Sequence, residues 1–209
     1  TRAFDQINLD VGLHHLPVVF AIDRAGITGD NGASHHGVLD LVLLSKVPGM
    51  TIFAPSSYQE LQVMLHDALE LCDGPAALRW ANTPAPMVDE HEVGHGLSAR
   101  KARDGADLCL VGVGKMLGPC LDAASLLAAD GIEATVWDPR VVKPLDPTML
   151  DDLARFSHVV TVEDGLREGG IGSAIADLVA VRAHGADVVP EVTVCGTPVG
   201  FLDHGKPDD

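Results

Sequence analysis

Two spacings of apolar residues alternate along this chain. Phe4, Ile7, Val11 and Leu13 recur at helical intervals, whereas 16–22 is an almost unbroken apolar run. Such a run is the pattern of a strand buried on both faces. A polar segment, 23–37, follows, and a helical pattern then resumes over 38–47. A strand is predicted over 50–54. A helix begins after Pro55, capped by Ser56 or Ser57, with Glu60 in its first turn and Leu61, Met64, Leu65 and Leu69 directed inward. A short strand over 75–80 closes this first set. Residues 82–92 carry Pro84 and Pro86 with acidic residues and read as a linker. A second set follows, with strands at 108–113, 134–137, 159–162 and 192–195. Helices are predicted at 114–130 (closed by Gly131), 148–156 and 172–183. Alternation of this kind predicts parallel strands joined by right-handed crossovers. The expectation is two α/β domains with parallel or mixed sheets: 1–83, a linker at 84–92, and 93–209.

Composition narrows the function classes. The chain has 209 residues, 46% of them hydrophobic, enough for one substantial core or two small ones. A formal net charge of -16 disfavours a phosphate backbone as partner, so nucleic acid is not expected. No apolar run reaches membrane-spanning length and no charged-then-apolar leader opens the chain, which makes the cytoplasm the expected location. Cys72, Cys109, Cys120 and Cys195 form no CxxC pair, and three of them lie in apolar surroundings. Buried, inert thiols are expected rather than metal ligands. Thr1 is not an initiator methionine, and Lys206 to Asp209 end without a closing element, so the chain reads as part of a longer one.

Candidate chemistry concentrates in 23–37, DRAGITGDNGASHHG, just beyond the carboxyl end of a predicted buried strand. Open α/β sheets bind ligands there. Gly26, Gly29, Gly32 and Gly37 allow close backbone approach, Arg24 can neutralise an anion, and His35 or His36 can carry a proton. A polar surface turn with the same Gly, Asn and Asp content satisfies these residues equally. His14 and His15 end a helix, where a cation interacts favourably with the dipole. His91 and His95 have ligand-like spacing but lie in an acidic linker, and no metal site is expected. Gly169, Gly170 and Gly172 open a helix and could cradle phosphate, though they lack the context of a nucleotide-binding fingerprint. Close helix packing, near a dimer interface, is the better reading.

The ordered set of motifs resembles the 1-deoxy-D-xylulose-5-phosphate synthase family of the transketolase superfamily. AFDQ and LPVVFAI precede the DRAGI…SHHG block. Asp73-Gly74-Pro75 precedes Leu78-Arg79. Asp138-Pro139-Arg140 leads to Lys143-Pro144-Leu145, and Val162-Glu163-Asp164 precedes Gly169-Gly170. Gly196-Thr197-Pro198 precedes Phe201. The resemblance covers nearly the whole chain. It implies part of a thiamin pyrimidine-binding domain, lacking its N-terminal part, followed by a transketolase C-terminal domain. It further implies a thiamin-diphosphate- and Mg2+-dependent transferase condensing pyruvate with glyceraldehyde 3-phosphate to 1-deoxy-D-xylulose 5-phosphate and carbon dioxide. That step opens isoprenoid-precursor synthesis and feeds thiamin and pyridoxal synthesis, in a homodimeric enzyme.

By the same resemblance His35 is the catalytic histidine, Arg24 lies near the acceptor's phosphate, and Arg2 lies beside the cofactor pocket. Asp30, Asn31 and Asn82 complete the substrate-binding set. Asn31 stands where the family usually has aspartate, and Asn82 where it usually has a basic residue gripping phosphate. The GDG…Asn motif that binds magnesium and diphosphate is absent from this sequence, as is the glutamate that activates the aminopyrimidine. The family carries both ahead of the region matched here, so the isolated chain is expected to be inactive. Other readings are a transketolase-like enzyme or split subunit with another aldehyde acceptor, and a non-catalytic domain retained for assembly. An upstream GDG motif and glutamate would favour catalysis.

Overall fold

The apolar run before the polar loop does form a strand, β1 (Val19–Ile22), preceded by a π-helical segment, Gln6–Gly12. These elements belong to a computed structural model of the protein that describes residues 3–186 and 188–205. After the polar loop come α1 (Asp40–Leu44), β2 (Thr51–Phe53), α2 (Tyr58–Glu70) and β3 (Ala76–Arg79). Ser57 is the cap of α2, its hydroxyl accepting the Glu60 N–H at 3.1 Å. That helix buries Glu60, Met64, Asp67 and Ala68. Leu65 and Leu69, expected inside, are exposed: the helix is rotated so that Glu60 can reach a buried arginine.

The second set runs β4 (Arg100–Arg103), β5 (Leu108–Gly112), α3 (Leu117–Ala129), β6 (Ala134–Asp138), β7 (Val141–Lys143), α4 (Pro147–Leu153), β8 (His158–Leu166), α5 (Ile171–Arg182) and β9 (Glu191–Thr197). Asp146 caps α4, with Pro147 in its first turn. One sheet has the order β1-β3-β2-β7 and the other β4-β6-β5-β8-β9. The strands are parallel except β7, antiparallel to β2, and β4, antiparallel to β6.

Two strands escaped the hydrophobic pattern. β4 is an edge strand of sequence RKAR, and charged residues suit an edge. β7 contributes only Val141 and Val142 as buried apolar residues, too few to show a period. It nevertheless leaves its own half of the sequence and extends the first sheet. The largest core cluster therefore spans both sheets, joining Leu41, Ile52 and Ala77 to Val111, Val142, Leu150 and Ile175.

Buried charges cross the same seam. Arg140, fully buried, donates from Nε to Glu60 Oε2 at 2.8 Å and from Nη1 to the Ser98 and Gly96 carbonyls at 2.7 and 3.1 Å. Gly94 lies so close to this guanidinium that any side chain there would collide with it. Removing one partner of such a pair costs about 3–5 kcal/mol, because the other charge stays buried. Cys109 and Cys120 are buried as expected, with burial pushing the Cys120 thiol up to about 12. Cys195 is exposed, since alternate residues of β9 face outward.

Asp138 is fully buried between the halves, accepting from Ser56 Oγ at 2.6 Å and from the Arg140 N–H at 2.9 Å. Burial pushes its carboxyl up to about 6, against the lowering effect of the Ser56 hydroxyl. A raised carboxyl pKa stabilises the fold below the unfolded value, about 4, and that contribution disappears as pH rises through about 6. Asp138→Asn should therefore flatten the pH dependence of unfolding free energy between pH 4 and 6, by at most roughly 3 kcal/mol. Urea denaturation at several pH values checks this, and an unchanged slope would refute it.

Candidate functional site

The polar loop leaves β1 and returns to α1 through a narrow neck. Gly26 and Gly37 exchange N–H···O bonds of 3.0 and 2.8 Å, and the Ala25 N–H donates to the Trp80 carbonyl at 2.9 Å. Arg24, Gly26, Gly29 and Gly32 all have positive φ, which lets the chain turn back on itself in so few residues. Gly37 packs on the backbone of Arg24 and Ala25 without room for a side chain. Inside the loop, the Thr28 N–H donates to His36 Nδ1 at 3.0 Å. His36 Nε2 is buried without a hydrogen-bond partner. Ser34 Oγ lies 2.9 Å from His35 Nδ1, and the His35 ring is exposed.

A buried ion cluster forms the floor beneath this neck. Arg79, at the end of β3, donates from Nε to Asp40 Oδ2 and from Nη1 to Asp164 Oδ1, each at 2.8 Å. Burial works against the guanidinium's charge, but Asp164 and Asp40 outweigh it and hold its pKa above the ordinary arginine value. Lys115, in the turn Gly114–Met116 after β5, places Nζ 3.6 Å from Asp164 Oδ2. Gly26 lies directly against the Asp164 carboxylate. The loop of the first sheet is thus seated on a carboxylate from the second.

Beside the cluster, at the carboxyl ends of β2 and β3, is a cavity of about 450 Å³ lined by Ser56, Tyr58, Trp80, Asn82, Pro84 and Lys115 among others. Of the residues predicted from the sequence, Asn82 lines this cavity. Arg24, Asp30, Asn31 and His35 are exposed on the loop and are not part of its lining. The Ala25–Trp80 hydrogen bond brings the loop's neck beside the strand end that carries Asn82. Arg2 lies outside the described residues. Lys115, Asp40 and Asp164 were not read as site residues. Asp164 alone had a signal, its place in the Glu-Asp pair ahead of Gly169, while nothing local marks Lys115.

The glycine-rich start of α5 holds no open phosphate cradle. The Gly172 and Ile171 N–H groups donate to the Glu163 carboxylate at 2.8 and 3.2 Å. Burial raises the Glu163 pKa while these two donors oppose the rise. A side chain at Gly172 would collide with Thr161 and Val194, and one at Gly170 with the Leu166 carbonyl, so these two glycines serve close packing. In the linker, Asp89, His91 and Glu92 approach one another at the exposed turn Glu90–Glu92, where Glu92 and Asp89 close a capping box. Among the described residues, no helix is long and apolar enough to cross a membrane.

Residues 1–83 match the transketolase pyrimidine-binding domain, and residues 97–209 match the transketolase C-terminal domain. The chain is 43% identical over 213 residues to a 1-deoxy-D-xylulose-5-phosphate synthase of Parafrankia sp., covering 100% of this chain and 32% of that protein. It is 44% identical over 214 residues to the synthase of Thermobifida fusca, covering 99% of this chain and 33% of that one. The chain thus spans about a third of the length of the curated relatives it matches. Among solved structures, a split gene transketolase described as an inactive beta4 tetramer superposes with a TM-score of 0.83 at 31% identity. That match covers 94% of this chain and 63% of the other.

The seating of the loop on Asp164 can be tested at one glycine. Gly26 has φ +76° and its added Cβ would strike the Asp164 carboxylate, whereas Gly131, with φ +81°, faces open space. Gly131→Ala should cost about 1 kcal/mol, the backbone strain alone. Gly26→Ala should cost at least about 2 kcal/mol, since Asp164 must also move away from Arg79. Equal losses in chemical denaturation would show that Asp164 does not support the loop.

Proposed function

The chain belongs to the transketolase family, and we propose that it is the C-terminal part of a thiamin-diphosphate-dependent transferase condensing pyruvate with glyceraldehyde 3-phosphate to 1-deoxy-D-xylulose 5-phosphate and carbon dioxide. The observation that carries this reading is the similarity, over the whole of this chain, to 1-deoxy-D-xylulose-5-phosphate synthases. The expected division is a partial pyrimidine-binding domain at 1–83 and a C-terminal domain from 93. The intact enzyme is taken to be a cytoplasmic homodimer.

The residues present do not fit the magnesium and diphosphate portion of the cofactor. Among the described residues, the one grouping of three potential metal ligands is the exposed set in the linker, away from the strand ends. The cavity beside the loop is lined by one cation. The loop residues therefore act toward the substrates. His35 engages Ser34 through Nδ1, which leaves Nε2 as the ring nitrogen available to a substrate hydroxyl or carbonyl. Arg24 is exposed, and its Nε lies 3.9 Å from Asp23, so its guanidinium remains available to an anion. Asp30 and Asn31, exposed farther along the same loop, are polar partners for the acceptor.

A second reading, that the chain acts as one subunit of a split enzyme, is favoured by its likeness to the split gene transketolase. The native mass of the protein purified from its source separates the two readings.

Turnover of pyruvate and glyceraldehyde 3-phosphate by the whole protein, followed as carbon dioxide release and product by mass spectrometry, tests the main reading. His35→Gln should lower kcat/KM by about 10²–10³-fold while leaving the fold intact by circular dichroism. A loss below tenfold would remove His35 from proton handling. Asn82→Arg probes the acceptor side of the site. Arginine offers a planar fork of donors where asparagine offers a neutral amide, so KM for glyceraldehyde 3-phosphate should fall more than that for unphosphorylated glyceraldehyde. Equal changes for both aldehydes would show that position 82 does not face the phosphate.

A further inference from the structure

Asn82 leaves the cavity at the ends of β2 and β3 with a neutral residue where the related synthases are expected to carry a base. The cavity nevertheless contains a charge. Among the described residues lining it, Lys115 is the one cation, and it arrives from the other half of the chain. We infer that Lys115 supplies the positive charge that binds the acceptor's phosphate, in place of a base at position 82. This inference rests on the acceptor proposed above.

Four observations support it. The cavity volume, about 450 Å³, lies within the range of small-molecule sites. Lys115 is placed by backbone geometry rather than by chance of a long side chain. Gly114 takes φ +57° and sits against the carbonyls of Ala54 and Pro55 at the end of β2, which aims the next residue into the cavity. The ammonium also retains its donors. Its distance of 3.6 Å from Asp164 Oδ2 exceeds a hydrogen bond, while Arg79 already donates to the other oxygen of that carboxylate at 2.8 Å. An incoming phosphate can therefore recruit Lys115 without stripping Asp164 of its principal partner. Finally, the protein's net charge of -16 repels anions generally, so a cation one-quarter exposed at a cavity wall stands out as a place where an anion gains.

The test uses the whole protein with Lys115→Gln and Lys115→Arg. Loss of a charge-assisted contact to phosphate should raise KM for glyceraldehyde 3-phosphate by about 10- to 100-fold in Lys115→Gln. The ratio of that KM to the KM for unphosphorylated glyceraldehyde should rise by nearly as much, and Lys115→Arg should restore most of the loss. A structural defect would shift both aldehydes together, and that outcome overturns the inference. Inorganic phosphate binding, titrated by calorimetry at low and high salt, provides a readout independent of turnover. Weaker binding in Lys115→Gln and reduced salt dependence support the assignment, and identical titrations overturn it. If the unaltered protein yields no condensation product, the proposed function fails, whereas the phosphate titration still decides the role of Lys115.

Discussion

Arg79 donates to Asp40 and to Asp164 at 2.8 Å in a region from which all three side chains exclude water. Asp40 opens the helix after the loop, Arg79 ends a strand of the first sheet, and Asp164 belongs to the second. A buried guanidinium left without these carboxylates would be strongly destabilising, so the two sheets and the loop must keep one relative placement. The geometry around the cavity depends on that constraint. Gly26 of the neck lies on the Asp164 carboxylate, and Trp80, the residue after Arg79, accepts the hydrogen bond that fastens the loop.

Arg140 and Glu60 of α2 repeat the arrangement. There the guanidinium also satisfies the Gly96 and Ser98 carbonyls, which fastens the segment between the halves to the core. Asp138 adds a third buried charge at the same seam through Ser56, a residue of the cavity wall. With β7 lending its two valines to the first sheet, apolar packing and ion pairs cross the boundary together. A domain boundary inferred from the Pro-rich stretch is thus spanned by a continuous core, and the cavity lies where the halves meet.

Much of this architecture was legible along the chain. Runs of apolar residues long enough to show a period, such as those of β1, β5 and β8, identified their elements to within a few residues. Ser57, one of two capping candidates, announced α2 through its hydroxyl. Short or polar segments were not legible: β4 reads as a charged stretch, and β7 has two apolar residues. The inward face of α2 was misjudged because Glu60, a charged residue, is buried in place of Leu65 and Leu69. Hydrophobic periodicity cannot anticipate a carboxylate whose partner lies 80 positions away. At the site, the loop's residues stood out by composition, whereas Lys115 and the unpartnered His36 nitrogen carry no local signal.

What the sequence determined by itself is the order of the helices and of the strongly apolar strands, and the presence of a glycine-rich polar loop at a strand end, because these follow from periodicity, capping and glycine content over a few neighbouring positions. Only the tertiary structure decided which distant groups meet: Arg79 with Asp164, Arg140 with Glu60, and Lys115 with the cavity that holds Asn82. The physical reason is that a buried charge is tolerable only beside its counter-charge. Those pairings become visible once the two sheets have closed around them.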